Sequence, residues 1–371
     1  MPHLFDSLTL RGVTLRNRIG VSSMCQYSSD DGMATDWHLV HLGSRASGGA
    51  GLVMAEMTNV ERRGRITPGC LGIYKDEHIE PLARVVRFVA SQGAAPGIQL
   101  GHAGRKASTA QTWLGGKPLS DEEGGWEPVG PSPVPFSDAH RVPRELSPEE
   151  IAEIREAFRR GAVRAREAGF HLLEIHAAHG YLMHSFHSPI SNKRTDSYGG
   201  SFENRIRFTV ETVRAVRAEW PESRALSIRL SCTDWAEGGW TLEETLELAK
   251  TLKQEGVDLI DCSGGGGTPL AKIPVGASYQ VPFAEAVRKA VDIPTATVGM
   301  ITEPMQADDI VRNGRADLVL MAKEMLRDPY WPQRAALALH QKDRIPIPHQ
   351  YHRGHGVPKM DPVAPAEVSG G

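Results

Sequence analysis

Two histidines and a tyrosine lie close together in the middle of the chain, at positions 176, 179 and 181. The imidazoles of His176 and His179 can donate hydrogen bonds to one oxygen atom, and the phenol of Tyr181 can deliver a proton beside them. Residues 172–175, directly before them, have the composition of a buried strand. An isolated pair of histidines is more often part of an ordinary loop, so the surrounding elements decide whether this is an active site.

Strand-like and helix-like segments alternate along the chain, and their number predicts the fold. The predicted strands cover residues 18–24, 51–57, 96–100, 172–175, 226–230, 258–261, 295–298 and 317–321. The predicted helices cover residues 37–47, 79–91, 148–168, 203–219, 242–255, 283–290, 304–313 and 330–340. About eight strand–helix units close a (β/α)8 TIM barrel, an α/β fold that keeps its catalytic groups at the carboxyl ends of the strands. A doubly wound sheet is the competing fold, but it needs a glycine-rich turn early in the chain, which is missing.

Three further segments complete the predicted architecture. Residues 8–15 alternate around a glycine and predict an N-terminal β-hairpin that plugs the barrel floor. Long loops follow strands three and four, over residues 101–144 and 179–202, and are typical of lids or binding walls. We expect helix caps at Asp36, Ser147 and Ser201.

Composition excludes several classes of function. The chain has 42 Lys and Arg against 45 Asp and Glu, so no strong field attracts nucleic acid or a membrane surface. The four cysteines are scattered without a CxxC pair, which disfavours an iron–sulfur cluster, a structural zinc or a disulfide framework. We therefore expect a cytoplasmic protein without a resident metal. Residues 1–357 are interpreted as one (β/α)8 barrel domain and residues 358–371 as a disordered tail.

Small or polar residues stand at the carboxyl ends of the predicted strands. The candidates are Ser22, Ser23, Met24, Cys25, Gln99, Arg229, Gly265, Gly299, Ala322 and Lys323. A glycine after strand seven and a cation after strand eight match the recurrent phosphate site of such barrels. An arginine and a glutamine lie at the ends of other strands of the barrel. Together with the phosphate site, these residues predict a flat phosphorylated ligand, and flavin mononucleotide (FMN) fits. Gln99 could bond its pyrimidine edge, and Arg229 could stabilise charge on the reduced flavin.

Residues 188–205, with the sequence SPISNKRTDSYGGSFENR, resemble the signature of the Old Yellow Enzyme family of FMN-dependent ene-reductases. The similarity extends from about residue 5 to residue 353. Residues 22–27, SSMCQY, resemble the subgroup called thermophilic-like. This resemblance implies that Cys25 tunes the flavin, that Tyr27 contacts substrate and that Ala55 lies beside the flavin.

The resemblance also implies a reaction. NADPH or NADH reduces FMN and leaves, and an activated alkene (enone, enal, maleimide or nitroalkene) then takes its place. His176 and His179 bind its oxygen, the flavin delivers hydride to the β-carbon, and Tyr181 protonates the α-carbon. Residues 350–354 are similar to the ending of relatives whose terminal arginine enters a neighbouring site. Arg353 is therefore expected to bind substrate in trans in a homodimer or homotetramer.

Three positions depart from the family pattern. Ser23 replaces a usual proline, Ala322-Lys323 replaces Gly-Arg, and the tail beyond Arg353 is longer than expected. A lysine gives phosphate a point charge rather than a bidentate fork, so we expect weaker FMN binding.

Other classes of protein remain as alternatives. A metal-dependent barrel hydrolase or aldolase would need Glu174 or His187 as a third ligand beside the two histidines. A non-catalytic flavin-binding protein would bind FMN without turnover. The other FMN barrels are the dienoyl-CoA reductase relatives, which carry an extra cysteine cluster and domain, and the dihydroorotate dehydrogenases and dihydrouridine synthases, which do not explain the pattern of two histidines and a tyrosine.

Overall fold

The computed structural model describes residues 1–355. In that part of the chain the strands, in order, are β1 (Leu8–Leu10), β2 (Val13–Leu15), β3 (Ile19–Val21), β4 (Leu52–Asn59), β5 (Ala95–Gly101), β6 (Val129–Gly130), β7 (Arg144–Glu145), β8 (Leu172–Ala177), β9 (Ala225–Ser231), β10 (Leu259–Ser263), β11 (Thr295–Thr297) and β12 (Leu318–Met321). Eight of them close into a parallel barrel in the order β3-β4-β5-β8-β9-β10-β11-β12. The predicted (β/α)8 barrel is confirmed.

Helices fill the connections between the barrel strands. They are α1 (Asp36–Ser47), α2 (Ile79–Ser91), α3 (Pro148–Glu167), α4 (Leu182–His187), α5 (Phe202–Glu219), α6 (Leu242–Gln254), α7 (Val281–Val291), α8 (Pro304–Arg312), α9 (Lys323–Arg327), α10 (Trp331–Ala338) and α11 (His352–His355). The prediction missed α4, α9 and α11. No helix in residues 1–355 combines the length and apolarity needed to cross a bilayer.

Burial explains why these segments form a barrel. Every residue of β4, β5, β8, β9 and β10 is buried, as expected for strands covered by side chains on one face and helices on the other. The hairpin of β1 and β2 packs Leu10, Val13 and Leu15 against Leu52 and Met54 inside the barrel. The predicted plug of the barrel floor is therefore confirmed.

Helix starts follow the capping signals, with one correction. Ser147 accepts the N–H of Glu150 in a capping box, and Ser201 accepts the N–H of Asn204, as predicted. The cap of α1 is Thr35 rather than Asp36, because Asp36 already has helical conformation and Thr35 is extended. The predicted domain end at residue 357 and the tail over residues 358–371 lie outside the described residues and stay predictions.

Candidate active site

The structure brings His176, His179 and Tyr181 together at the carboxyl end of β8. The His176 ring lies 5.1 Å from the His179 ring and 5.0 Å from the Tyr181 ring, nearly perpendicular to both. Nδ1 of His176 accepts the N–H of Ala178 at 3.2 Å. A neutral imidazole with an accepting Nδ1 carries its proton on Nε2, so His176 is preset to donate from Nε2.

His179 is held by a different set of contacts. Its backbone is left-handed, with φ of 59°, and its N–H donates to Ser231 Oγ at 2.9 Å. Its Nε2 lies 2.7 Å from the hydroxyl of Ser263, which is 3.2 Å from the side-chain oxygen of Gln280. A hydroxyl both donates and accepts. In this arrangement Ser263 donates to Gln280 and accepts from Nε2 of His179. His179 donates towards a ligand from Nδ1 only when the Ser263 proton turns from Gln280 to Nε2.

Burial sets the protonation of the three side chains. Desolvation, followed by the charge of Arg229, holds the pKa of His176 and of His179 well below its usual range. Desolvation, followed by the nearby Cys25, raises the pKa of Tyr181 well above its usual range. At neutral pH the site therefore holds two neutral imidazoles and a protonated phenol, all of which can donate hydrogen bonds.

Lys106 donates hydrogen bonds to the loop that carries His179 and Tyr181. Its Nζ donates to the carbonyl oxygens of His179 at 2.9 Å and Gly266 at 3.1 Å, and it lies 5.1 Å from the centre of the Tyr181 ring. Burial, with help from Arg105, lowers the pKa of Lys106 to about 8. One side chain thus ties the segment after β8 to the segment after β10. Sequence reasoning missed it, because a lysine in a long loop is usually solvated.

A buried histidine–aspartate pair contacts the same loop. His184 on α4 accepts the Gly180 N–H at Nδ1, at 2.8 Å, and its Nε2 lies 3.2 Å from Asp234. Asp234 also accepts from the Ser188 hydroxyl at 2.5 Å and the Trp240 N–H at 2.8 Å. Burial works to raise the pKa of Asp234, but His184 and the other donors prevail and lower it to about 2. The pair fixes the tautomer of His184 and, through it, the position of Gly180.

A cavity of about 620 Å³ opens beside the histidines, between the ends of β9 to β12. Of the predicted cofactor residues, Arg229, Gly299, Ala322 and Lys323 line it; His179 does so as well. Gly299 has φ of 126°, and a Cβ there would lie 2.9 Å from the Gln280 amide, so only glycine fits. Gly265 turns instead towards Ile273 and Trp235, and its neighbours Gly264 and Gly266 face the cavity.

The donors around this cavity fit a phosphorylated flavin. The hydroxyl of Ser23 is buried without a hydrogen-bond partner. Nε of Arg229 lies 3.2 Å from Oδ2 of Asp261, and its Nη1 donates to Ser22 at 2.9 Å. Lys323 adds a second cation to the lining. Gln99 is buried and donates to Glu174 at 2.8 Å, which leaves its amide oxygen for a ligand. Arg229 and Lys323 could therefore hold charged groups of FMN, and Gln99 could bond its ring edge.

Cys25 and Tyr27 stand on the other side of the histidines. Together with Tyr181 they pack against a buried apolar cluster that contains Met57 and Cys70. Met24 packs separately against the main core. This apolar wall is suited to the carbon skeleton of a substrate.

The position of Ala55 differs from the expectation. Ala55 packs in the main core cluster, whereas Met57 on the same strand contacts the Cys25 and Tyr181 cluster. The cause is a β-bulge between Met54 and Met57, which shifts the register of β4 against β5. Met57 thus stands at the site where Ala55 was predicted.

The remaining predicted residues lie elsewhere. Arg353 is exposed on α11. His187 bonds the hydroxyl of Thr209, and Glu174 bonds Gln99 and Ser227. Within residues 1–355 no three His, Cys, Asp or Glu side chains form a group that could hold a metal.

Comparison with known proteins places this site in a family. The model of the NADH:flavin oxidoreductase / NADH oxidase family matches residues 3–342. The chain is 47% identical to NADPH dehydrogenase of Geobacillus sp. (strain WCH70), over 95% of this chain and 98% of the relative. It is 45% identical to NADPH dehydrogenase of Bacillus subtilis (strain 168), with the same coverage.

Comparison with solved structures gives similar proteins of the same kind. Morphinone reductase in complex with tetrahydroNAD superposes with a TM-score of 0.76 at 28% identity, over 91% of each chain. A 2-naphthoyl-CoA reductase superposes with a TM-score of 0.81 at 29% identity; this chain is 92% covered and spans 53% of that longer protein. The chain therefore belongs to the NADH:flavin oxidoreductase / NADH oxidase family, the Old Yellow Enzyme family that its sequence resembles, and is an NAD(P)H-dependent oxidoreductase with FMN as its cofactor.

Proposed function

We propose that the chain is an ene-reductase that saturates the carbon–carbon double bond of activated alkenes such as enones, enals, maleimides and nitroalkenes. In the net reaction NAD(P)H loses a hydride, the β-carbon of the alkene gains it, and the α-carbon gains a proton. FMN supplies the hydride-transfer chemistry when it is bound. The observation that carries the proposal is the meeting of two neutral imidazoles and a protonated phenol beside the flavin-sized cavity.

The two histidines would hold the oxygen of the activating group. His176 donates from Nε2, because Ala178 occupies its Nδ1. His179 donates from Nδ1 once the Ser263 proton turns from Gln280 to its Nε2. Two hydrogen bonds to a carbonyl or nitro oxygen draw electron density from the double bond and make the β-carbon electrophilic. Neutral imidazoles serve this purpose without protonating the oxygen in the ground state.

Tyr181 would supply the proton to the α-carbon. Its phenol stays protonated because its pKa is raised by burial and by the nearby Cys25. The ammonium of Lys106 near the ring stabilises the negative charge that develops on the phenol as the proton leaves. Cys25 and Tyr27 would complete the site as a flavin-facing thiol and a substrate contact.

Arg353 would act across a subunit boundary. We propose that a homodimer or homotetramer places it in a neighbouring site, since it is exposed in the single chain. Arg353→Ala should then raise KM for alkenes without changing flavin reduction. An unchanged KM would contradict the trans arrangement.

Anaerobic titration tests the proposed reaction. The FMN-loaded protein should bleach with NADPH and regain its flavin bands with 2-cyclohexenone. Tyr181→Phe should slow reoxidation by the enone about 100-fold or more, the usual contribution of a general acid, and leave bleaching by NADPH intact. Tyr198→Phe, which removes a phenol bonded to Glu211 on α5, is the matched control. Equal losses in both half-reactions would contradict the role of Tyr181, and no reoxidation by any activated alkene would contradict the function.

A further inference from the structure

The bulge in β4 turns a carboxylate towards the segment that carries Cys25. Glu56 is one of the residues at which the register of β4 against β5 shifts, and it is only 3% exposed. Bulges next to active sites commonly redirect a side chain. A buried carboxylate is expensive unless it is well bonded, so the contacts of Glu56 indicate what it does there.

Glu56 bonds the loop of Cys25 on one side and helix α1 on the other. Its Oε2 accepts the N–H of Gln26 at 3.2 Å, and its Oε1 lies 3.1 Å from Nε2 of His38. Nδ1 of His38 accepts the N–H of Thr35 at 2.9 Å, which leaves the ring proton on Nε2. His38 therefore donates to Glu56 from Nε2.

The segment held in this way is unusual. Gln26 stands between Cys25 and Tyr27, and Tyr27 has a left-handed backbone with φ of 49°. The carbonyl of Tyr27 packs so closely on Gly69 that a Cβ at Gly69 would overlap it within 2.5 Å. A backbone of this kind persists only where its surroundings fix it. The bond from Gln26 to Glu56 is one of the contacts that do so.

We propose that Glu56 is a positioning residue for Cys25. The carboxylate of Glu56, which His38 holds in place, fixes the backbone next to the cysteine and keeps the cysteine sulfur a thiol. A neutral thiol leaves the adjoining surface free of charge, whereas a thiolate would repel a reduced, negatively charged flavin. The inference rests on the proposed function only where it places Cys25 beside the flavin.

The surroundings of Cys25 support the direction of the effect. Burial raises the pKa of its thiol well above the usual range, Glu56 adds to this, and Cys70 adds a smaller contribution. The N–H of Met57 acts in the opposite direction. The other titratable groups facing Cys25 are the phenols of Tyr27 and Tyr181, whose own pKa values are raised, so they are neutral. Glu56 is therefore the carboxyl group that acts on the sulfur.

Alkylation by iodoacetamide reports the thiolate directly, because only the thiolate reacts. Cys25 is partly exposed, whereas the other three cysteines are buried, so peptide mapping assigns the reaction to it. In the FMN-loaded protein, Glu56→Gln should speed alkylation of Cys25 at about pH 8 by about threefold or more, because loss of the carboxylate leaves more of the sulfur as thiolate. Glu56→Asp keeps the charge and should stay nearer the wild type. Glu153→Gln, at an exposed helix position, is the control.

The wild type alone also tests the inference, should Glu56→Gln fail to fold. Its alkylation rate should still be rising at about pH 9, above the usual thiol range. A plateau below that pH, or equal rates in Glu56→Gln and the wild type, would overturn the proposal. Neither readout uses alkene turnover, so the result is independent of whether the proposed reaction holds.

Discussion

The exchange Asp234→Asn tests whether a buried carboxylate sets the geometry of the catalytic loop. One oxygen of Asp234 faces Nε2 of His184 at 3.2 Å, and the other accepts from Ser188 and from the Trp240 N–H. Asparagine has the same shape, but its NH2 group only donates. Whichever way the amide turns, this group meets a donor, either the imidazole of His184 or the N–H of Trp240.

The size of the effect follows from these contacts. A buried donor without an acceptor costs about 1–3 kcal/mol, and each of the two surviving bonds loses about 1 kcal/mol when its acceptor is no longer charged. Together they lower the free energy of unfolding by about 3–5 kcal/mol. If the NH2 group faces His184, the ring proton moves to Nδ1 and Gly180 loses its acceptor. A displacement of about 1 Å in the loop of His179 and Tyr181 then lowers the rate about 100-fold.

Urea unfolding of the FMN-loaded protein measures the loss of stability, and the rate of reoxidation by 2-cyclohexenone measures the loss of rate. Titration with p-hydroxybenzaldehyde, a phenol whose oxygen His176 and His179 would bind, reports the displacement of the loop. We expect Asp234→Asn to lose both stability and phenol affinity, and Asp309→Asn, at an exposed position on α8, to lose neither. Because the pKa of Asp234 is lowered to about 2, the carboxylate stabilises the fold above its unfolded pKa, near 3.8, and ceases to do so as pH falls through 2. The stability gap should shrink over that window. A variant within about 0.5 kcal/mol of the wild type, with unchanged phenol affinity, would refute the reasoning.

Two further predictions concern the cations of the site. Burial lowers the pKa of Lys106 to about 8, so the reoxidation of the reduced enzyme by an enone should slow as the pH rises through about 8 and the ammonium is lost. Lys106→Met should react slowly at every pH in stopped-flow measurements and should not show this decline. Lys323 offers phosphate a point charge, whereas an arginine would bind it with two hydrogen bonds, so Lys323→Arg should lower the Kd for FMN several-fold. Lys323→Met should raise this Kd at least about tenfold. Flavin fluorescence measures both. A Kd that is the same in all three proteins would remove Lys323 from the phosphate site.

The barrel could be predicted because its signals are local. Each buried strand is a short apolar run, and caps such as Ser147 and Ser201 mark helix starts. Helix α4 was missed for a physical reason. All six residues of Leu182–His187 are buried, including polar His184 and Ser185, so the alternation of apolar and polar residues that marks a helix with an exposed face is missing.

The catalytic trio could also be predicted, but its supports could not. His176, His179 and Tyr181 are adjacent in sequence, and their grouping needs only the end of one strand. Lys106 and Asp234 reach the same loop from distant parts of the chain, 73 and 50 residues from His179 and His184 respectively. Such contacts depend on how loops fold over the barrel, which no local pattern records.

The β4 bulge is a feature of the folded structure that the sequence pattern does not predict, and it gives Met57 and Ala55 different roles. Strict alternation along β4 does not reveal an extra residue, because the bulge exists only in the pairing with β5. Met57 lies beside His176, as a Cβ added to Gly101 would contact both side chains. Met57→Ala should therefore enlarge the substrate pocket, whereas Ala55→Gly should only loosen the strand.

Competition between 2-cyclohexenone and its 2-alkyl derivatives distinguishes these positions. Met57→Ala should raise the relative kcat/KM for the bulkier enone about tenfold, the usual effect of one methylene in an apolar pocket. Ala55→Gly should leave that ratio unchanged and lower the free energy of unfolding by about 1 kcal/mol. If Ala55→Gly altered the ratio and Met57→Ala did not, the wall beside Tyr181 would be built from Ala55, and the side chains of β4 would have to point the opposite way from the observed register.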